Sequence, residues 1–243
     1  AKMTRIWRRT SPARLFHPAA MILAAMIALA GLSVPAAAKS DAPQWTSRQW
    51  VSDSGGHGQG NPIAPTRIIE FMSYTCPHCA HFEAESGDAR KAYLRDGKVS
   101  FEVRNFVRDP VDLTVALLAR CGDKAAFFRN HKALLESQPV WLAKAGAADK
   151  DTVKSWYVGP INDRLKKIAA DLDLYSQMQA LGFDQAATNT CLTDKASQDA
   201  IVAMTAYARD VAKIDGTPGF TLNGERLDKV HDWTALEARL KNS

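Results

Sequence analysis

Two cysteines separated by two residues follow a strand pattern and begin a helical one, and this arrangement constrains the chain more than any other feature. The run Thr66–Met72 is short, β-branched and aromatic, as expected of a buried strand. Cys76-Pro77-His78-Cys79 comes next, and residues 76–94 have helical character. Unpaired backbone N–H groups and the helix dipole both favour a thiolate at a helix N-terminus. The sequence therefore predicts a reactive Cys76, with a deeper Cys79 that attacks it to resolve a mixed disulfide.

Two other roles are open to this cysteine pair, a metal site and a purely structural disulfide. A zinc site normally recruits two further ligands at recognisable spacing, and the sequence offers no such pair. His78 and His81 are close, but on a helix we expect His78 to point away from its flanking cysteines. We therefore favour redox chemistry and predict neither a metal nor a cofactor.

Residues 1–38 have the pattern of a secretory signal. Basic residues without any acidic one come first, the apolar run 19–34 follows, and Pro35-Ala36-Ala37-Ala38 resembles a cleavage site. The apolar run has about sixteen residues, fewer than the ~20 that a membrane-spanning helix needs. We expect cleavage near Ala38 and export to the periplasm. An uncleaved N-terminal anchor is the alternative.

The excess of basic residues belongs to this N-terminal segment. The chain has 31 Lys and Arg against 26 Asp and Glu, and five of the basic residues lie in 1–38, so 31 less five leaves 26 against 26. Nucleic-acid binding needs basic residues clustered on the folded part of a protein. The charge pattern thus argues against a nucleic-acid partner.

The rest of the chain predicts an α/β fold in which helices separate two strand-bearing parts. Residues 54–65 are rich in Gly and Pro and predict a turn region, with His57 as an ordinary loop residue. Residues 99–107 alternate as a strand does. Apolar residues then recur at helical spacing over residues 111–212. This long helical stretch predicts a subdomain inserted into the α/β fold.

Strand character returns near the C-terminal end. Residues 219–223 predict a strand, Asn223-Gly224 a hairpin turn, and Asp232 the cap of a last helix. The predicted parts of the chain are 1–38 as the signal, 39–110 with the cysteine motif, 111–212 as the helical insertion, and 213–243 as the return to the first fold.

Four separated segments resemble the DsbA-like oxidoreductases, and they occur in that family's order. They are the Gly- and Pro-rich residues 55–65, Phe71-Met72-Ser73-Tyr74-Thr75 leading into the cysteine motif, Arg104-Asn105-Phe106, and Gly216-Thr217-Pro218-Gly219 with the hairpin behind it. The resemblance implies a thioredoxin fold interrupted by an α-helical subdomain. It also implies an exported enzyme that donates its disulfide to reduced secreted proteins and is reoxidised by a membrane quinone-linked oxidase.

The dipeptide between the cysteines sets the redox direction in such enzymes. Pro77 removes a backbone donor where the helix can spare it, and His78 adds a donor, partly cationic, near the sulfur of Cys76. If Cys76 behaves as the resemblance implies, the reduced protein is the more stable form and its disulfide is readily given away.

Two acidic residues match the family pattern. Glu70 lies in the predicted strand and is expected under the active site, where an unpaired carboxylate is costly to bury. Glu83 follows Cys79 by four residues, where it could accept the proton of Cys79 as that thiol attacks. A solvent-facing helix charge is the alternative for Glu83.

The resemblance also makes Pro218 the cis-proline opposite the cysteines. The backbone of Thr217 would then face the sulfurs and bind an extended substrate. Threonine also precedes this proline in disulfide isomerases. A disulfide isomerase or reductase is therefore the nearest alternative function.

Cys121 and Cys191 fall in the helical insertion. With Cys76 and Cys79 assigned, they can pair only with each other, and closing a loop of about 70 residues would stabilise the fold by roughly 4 kcal/mol. Two buried free thiols are the alternative.

Quaternary structure and a third class of function complete the predictions. Isomerases of this type usually carry an N-terminal dimerisation domain, and the segment between Lys39 and Cys76 is too short for one, so we expect a monomer. A metal-binding or chaperone-like module, whose cysteines never turn over, is the alternative from another class. Stoichiometric metal after purification would favour it.

Overall fold

The computed structural model describes residues 44–242, so the predicted signal 1–38 lies outside the described residues. A short 3-10 helix, Trp45–Ser47, comes first. The strands are β1 (Gln49–Val51), β2 (His57–Gly60), β3 (Thr66–Met72), β4 (Val99–Asn105), β5 (Gly219–Leu222) and β6 (Glu225–Arg226). The helices are α1 (Pro77–Leu94), α2 (Pro110–Ala119), α3 (Phe127–Glu136), α4 (Gln138–Ala147), α5 (Lys150–Ser155), α6 (Ile161–Asp171), α7 (Leu174–Ala180), α8 (Gln185–Leu192), α9 (Lys195–Asp210) and α10 (Trp233–Leu240).

The six strands form one mixed sheet in the order β1-β2-β4-β3-β5-β6. Only the central pair, β3 and β4, is parallel, and it runs in register from Thr66 opposite Val99 to Met72 opposite Asn105. A parallel pair needs a crossover connection, and α1 supplies it. Strand β3 has the predicted bounds, whereas β4 ends two residues before the predicted position 107.

Side chains of β3 alternate between two covered faces of the sheet. Ile68 packs into an apolar cluster with Phe82 of α1 and Leu236 of α10. Phe71 lies in a separate cluster with Ala208 of α9. Helices α1 and α10 therefore cover one face and α9 the other, which confirms the predicted α/β class. Burial on both faces explains why neighbouring positions of β3, Ile68-Ile69 and Phe71-Met72, are both apolar.

Helices α2–α9 lie between β4 and β5 and form the predicted helical insertion. Its core is large and apolar, with Leu117, Leu134, Trp141 and Ile168 fully buried. Cys121, just after α2, forms a disulfide with Cys191 of α8 across 70 residues of sequence. The predicted pairing is confirmed. Each helix in the described part of the chain is too short or too polar to cross a lipid bilayer.

The prediction of a turn region over residues 54–65 is wrong for its central part. Strand β2 occupies residues 57–60 and pairs with both β1 and β4. Its glycines serve close packing, since a Cβ on Gly58 would clash with the Trp50 ring. Nor is His57 a loop residue, because its buried ring stacks on Phe127 at 3.7 Å and burial lowers its pKa to about 3.

Candidate active site

The two cysteines lie where strand β3 passes into helix α1. Cys76 is the N-cap of α1 and has an extended backbone, and Pro77 fills the first helical position, where no N–H is required. Cys79 lies one turn further and is fully buried, while Cys76 keeps a small exposed area. Both are free thiols. The prediction that Cys79 lies deeper than Cys76 is confirmed.

The loop before β5 approaches the outer sulfur. The Thr217–Pro218 peptide bond is cis, as predicted. The thiol of Cys76 donates a hydrogen bond to the carbonyl of Thr217 at 3.0 Å. On the far side of this loop, Nδ1 of His231 lies 2.9 Å from the carbonyl of Pro218. The backbone of Thr217 therefore borders the sulfur that a substrate would reach.

The surroundings of Cys76 favour its thiolate. Its pKa falls to about 4, chiefly through a hydrogen bond from the Cys79 thiol, with help from Thr217 and from the backbone N–H groups of Cys79 and His78. Burial opposes the shift but is outweighed. These donors belong to the first turn of α1 and to the cis-proline loop, so the fold itself supplies them.

The surroundings of Cys79 favour its neutral thiol instead. Burial raises the pKa of its thiol well above the ordinary value, and the hydrogen bond to Cys76 and the charges of Glu70 and Cys76 raise it further. In the reduced protein the negative charge therefore sits on Cys76 and the proton on Cys79. This division allows Cys76 to leave as a thiolate while Cys79 stays protonated until it attacks.

The side chain of His78 does not touch the sulfur. It is exposed on α1 and forms no hydrogen bond with any residue of the described part of the chain. Its backbone N–H, not its imidazole, is what reaches Cys76. The contribution that we expected from the imidazole stays a prediction.

Glu70 lies under the active site, as the sequence predicts. It sits in the middle of β3 between Val103 of β4 and Phe220 of β5, with 3% of its surface exposed. Among residues 44–242, none donates a hydrogen bond to its carboxyl group. Burial raises its pKa to about 8, against a weaker opposing effect of Arg90.

Glu83 is buried, so the alternative interpretation of this residue as a solvent-facing helix charge is wrong. Its carboxylate forms a 2.6 Å ion pair with Arg90 and lies 3.6 Å from Nε2 of His131. Burial favours the neutral acid, but Arg90 and His131 outweigh it and hold the pKa of Glu83 at about 2. On its other side, His131 bonds the hydroxyl of Tyr74 through Nδ1 at 2.8 Å. A carboxylate held this way is a weak base.

Two further residues of the insertion fix the loop before Cys76. The buried carboxylate of Asp112 accepts hydrogen bonds from the hydroxyl of Ser73 at 2.5 Å and the backbone N–H of Tyr74 at 2.7 Å. The amide of Gln138 donates to the carbonyls of Tyr74 at 2.6 Å and Cys76 at 3.0 Å. The insertion thus holds the backbone on which the reactive sulfur is placed.

Sequence reasoning missed Arg90, His131, Asp112 and Gln138. Arg90 had a local signal, since it follows Glu83 by two helical turns on the same side of α1. The other three come from the insertion, and no local pattern connects them to the cysteine motif. Across residues 44–242, no group of three His, Cys, Asp or Glu side chains has an arrangement that would hold a metal ion.

Comparison with known proteins agrees with this geometry. Residues 52–242 match the family model described as Thioredoxin. The fold is similar to a solved protein-disulfide isomerase from Novosphingobium aromaticivorans, with 39% identity, a TM-score of 0.74, and coverage of 77% of this chain and 96% of that one. It is also similar in fold to alpha-DsbA1 of Wolbachia pipientis, with 23% identity, a TM-score of 0.61, and coverage of 79% and 92%.

Curated relatives come from Rickettsia felis and Rickettsia typhi and are named as protein-disulfide oxidoreductases. They are 26% identical over 167 residues and 27% identical over 171 residues, which are 68% and 70% of this chain. The chain spans about half the length of these relatives, 52% and 55%.

Proposed function

This chain belongs to the thioredoxin family and has the DsbA-like fold, and from that premise we propose that it is a thiol–disulfide oxidoreductase acting through Cys76 and Cys79. One observation carries the proposal. Within a single Cys-x-x-Cys motif, the pKa of Cys76 falls to about 4 while that of Cys79 rises well above its ordinary value. A structural disulfide needs no such separation, whereas thiol exchange does.

The reaction begins with the oxidised protein. A substrate thiolate attacks Sγ of Cys76, the Cys76–Cys79 bond breaks, and Cys79 takes up a proton. A second substrate thiolate then attacks the substrate sulfur of the mixed disulfide, and Cys76 leaves as a thiolate. The substrate loses two electrons and two protons to become a disulfide. The low pKa of Cys76 makes it a good leaving group in this last step.

We propose that disulfide donation is the favoured direction. The pKa of Cys76 is lowered from 9.0 to about 4, so it stabilises the reduced form fully above pH 9, progressively less as pH falls, and not at all below pH 4. At pH 7, which is three units above that pKa, the thiolate stabilises the reduced form by about 4 kcal/mol. Solvent at the mouth of the site screens the charge and reduces this to about 2–4 kcal/mol. The reduced form is then the stable one, so the disulfide is readily transferred.

A disulfide isomerase or reductase is the second candidate. It is supported by the name of the Novosphingobium aromaticivorans relative, protein-disulfide isomerase, and by threonine at position 217. Isomerases attack substrate disulfides with the outer thiolate, which Cys76 could also do. The reduction potential separates the two candidates, because donation needs a more oxidising pair.

We propose that Glu70, and not Glu83, accepts the proton that leaves Cys79. When Cys79 attacks Cys76 to release a bound substrate, its proton must leave. With a pKa of about 8, Glu70 is ionised in about a tenth of the molecules at pH 7, and in that ionised form it is a much stronger base than Glu83 and can accept the proton. Glu83, with a pKa of about 2 and an ion pair to Arg90, has no comparable basicity.

The proposal extends to location and partners. The signal-like residues 1–38 motivate export to the periplasm, and the Cys121–Cys191 bridge suits an oxidising compartment. The substrates are reduced secreted proteins, a membrane quinone-linked oxidase restores the disulfide, and the protein works as a monomer. Electrons pass between sulfur atoms alone, so no cofactor is required. Cell fractionation of the tagged full chain tests the location.

The test of function is equilibration with glutathione, followed by disulfide transfer to a reduced, unfolded protein. We expect a reduction potential above about −150 mV and rapid oxidation of the substrate. The Cys79→Ser variant should accumulate the mixed disulfide with the substrate. The Cys76→Ser variant should neither form a mixed disulfide nor oxidise the substrate. A potential below about −200 mV, or repair of scrambled disulfides without net oxidation, would favour the isomerase or reductase.

A further inference from the structure

The imidazole ring of His231 lies against the cis-proline loop. Its Nδ1 atom is 2.9 Å from the carbonyl oxygen of Pro218. On the other side of Thr217, a Cβ atom built on Gly216 would lie 4.0 Å from Cε1 of the same ring. The ring therefore lies beside both neighbours of Thr217, the residue whose carbonyl accepts the hydrogen bond from Cys76.

The partner of this ring nitrogen determines where the imidazole carries its proton. A carbonyl oxygen only accepts hydrogen bonds, so Nδ1 of His231 must be the donor. The neutral Nδ1–H tautomer and the charged imidazolium can both donate in this way. Pro218 is buried although His231 itself is exposed, and a buried carbonyl is costly to leave without a donor. The hydrogen bond therefore restrains the loop and not only a surface side chain.

The backbone that carries His231 is held firmly by its neighbours. Val230, directly before it, is buried with 2% of its surface exposed. Asp232, directly after it, caps α10 through its side chain. Trp233 then packs against Phe82 of α1, with 6.4 Å between the two ring centroids. The imidazole therefore reaches the cis-proline loop from a rigid part of the fold.

Packing alone does not hold the loop on this side. A cavity of about 290 Å³ opens there, lined by Ile214 before the loop, by Gly219 after it, and by His231. Atoms that border a void lack contacts on that side. Hydrogen bonds take the place of packing at both ends of the loop. Arg226 donates to the carbonyl of Lys213 at 2.7 Å at the start, and His231 donates at the end.

Resting on the proposed function, we infer that His231 is a positioning residue for the polypeptide substrate. By donating its Nδ1–H to Pro218, it keeps the backbone of Thr217 facing Cys76, where an extended substrate can pair with that backbone. His231 acts through the loop and not on the sulfur atoms. A thiol without a polypeptide backbone makes no use of such pairing, so the oxidation of a small thiol does not depend on His231.

The experiment compares two dithiols, an extended peptide with two cysteines and dithiothreitol. Each loses two electrons and two protons to the Cys76–Cys79 disulfide, and stopped-flow measurement gives both rate constants. His231→Leu removes the donor and should slow the peptide by about three- to tenfold while leaving dithiothreitol unchanged. His231→Asn places a side-chain N–H near the position of Nδ1 and should restore most of the peptide rate. Lys229→Leu is the matched control, because Lys229 lines the same cavity but, within residues 44–242, forms no hydrogen bond with the loop.

A merely structural role would slow both dithiols equally in His231→Leu, and that result would overturn the inference. An unchanged peptide rate in His231→Leu would also overturn it, as would a peptide rate for His231→Asn as low as that for His231→Leu.

Nitrogen NMR of labelled histidine gives a second readout that needs no substrate, with the signal of His231 identified by its absence from the His231→Asn variant. We expect the neutral ring to carry its proton on Nδ1, and a proton on Nε2 would contradict the hydrogen bond to Pro218. If the proposed function itself fails, the wild-type protein will oxidise neither dithiol, and the position of this proton will still test the contact.

Discussion

Replacing Glu70 by glutamine tests the buried carboxyl group beneath the active site. Burial raises the pKa of Glu70 from the ordinary 4.5 to about 8 in the folded protein. Between these values the unfolded chain ionises the group while the folded protein keeps it protonated. The carboxyl group therefore costs no stability below pH 4.5, costs progressively more as pH rises, and reaches its full cost above pH 8. Glutamine keeps the shape but never ionises.

The size of the effect follows from the gap between the two pKa values. At pH 7 the gap above 4.5 is about 2.5 units, or about 3 kcal/mol. Glu70→Gln should therefore stabilise the protein by about 3 kcal/mol at pH 7 and hardly at all at pH 4. For a domain of about 200 residues this is a rise of roughly 6–12 °C in Tm at pH 7.

The assay is urea unfolding of the oxidised protein at pH 4 and pH 7, since neither sulfur titrates in that form. Glu83→Gln is the matched control, because we expect it to lower the free energy of unfolding where Glu70→Gln raises it. The lowered pKa of Glu83 stabilises the fold above pH 4.5, and this contribution is lost as pH falls toward 2. Removing one member of its buried ion pair with Arg90 should destabilise by about 3–5 kcal/mol at pH 7.

The same Glu70 variant tests the proton transfer. Without an acceptor for the Cys79 proton, the release of a bound substrate from Cys76 should slow by about 100-fold. Equal stabilisation by Glu70→Gln at pH 4 and pH 7 would contradict the raised pKa. An unchanged release rate would remove Glu70 from the mechanism.

Three further variants test other parts of the site and fold. Thr217→Val removes a hydroxyl group that favours the Cys76 thiolate, so the pKa of Cys76 should rise by about one unit, as seen by ultraviolet thiolate absorbance; no change would leave that role to backbone donors. His78→Ala keeps the backbone N–H and removes an exposed imidazole, so the same titration should shift by less than about one unit. Replacing Cys121 and Cys191 together by serine should lower stability by about 4 kcal/mol in thermal melts and leave the reduction potential nearly unchanged; an unaltered Tm would deny the bridge a structural role.

The parts of the fold that the sequence predicted well are those with strong local signals. Strand β3 is buried on both faces, so neighbouring positions of its sequence, Ile68-Ile69 and Phe71-Met72, are both apolar. Helix α1 follows it with proline at the first helical position. Both signals belong to single elements and do not depend on distant partners.

Strand β2 escaped prediction because its residues serve tertiary contacts. Glycine usually indicates a turn, yet Gly58 is there to let the Trp50 ring lie against the backbone. His57 is buried because Phe127, from the insertion, stacks on its ring. Neither contact leaves a periodic pattern in the sequence.

In the active site, too, local sequence signals were predicted and tertiary contacts were not. The cysteine pair and Glu70 were predicted from one continuous segment. The ion pair that weakens Glu83 as a base was not predicted, although Arg90 lies on the same helix. His131 reaches Glu83 and Tyr74 only because α3 packs against α1. Roles that depend on pKa therefore required the folded structure.

The central claim is that the reduced protein carries its charge on Cys76 and its proton on Cys79. The direct measurement is alkylation of the reduced protein across a range of pH, with the labelled cysteine identified by peptide mapping. We predict that Cys76 is labelled alone at pH 6, with a rate that falls only as pH approaches 4. Cys79 should stay unlabelled below about pH 9. Equal labelling of both cysteines, or a rate that rises only near pH 8–9 as for an ordinary thiol, would contradict it.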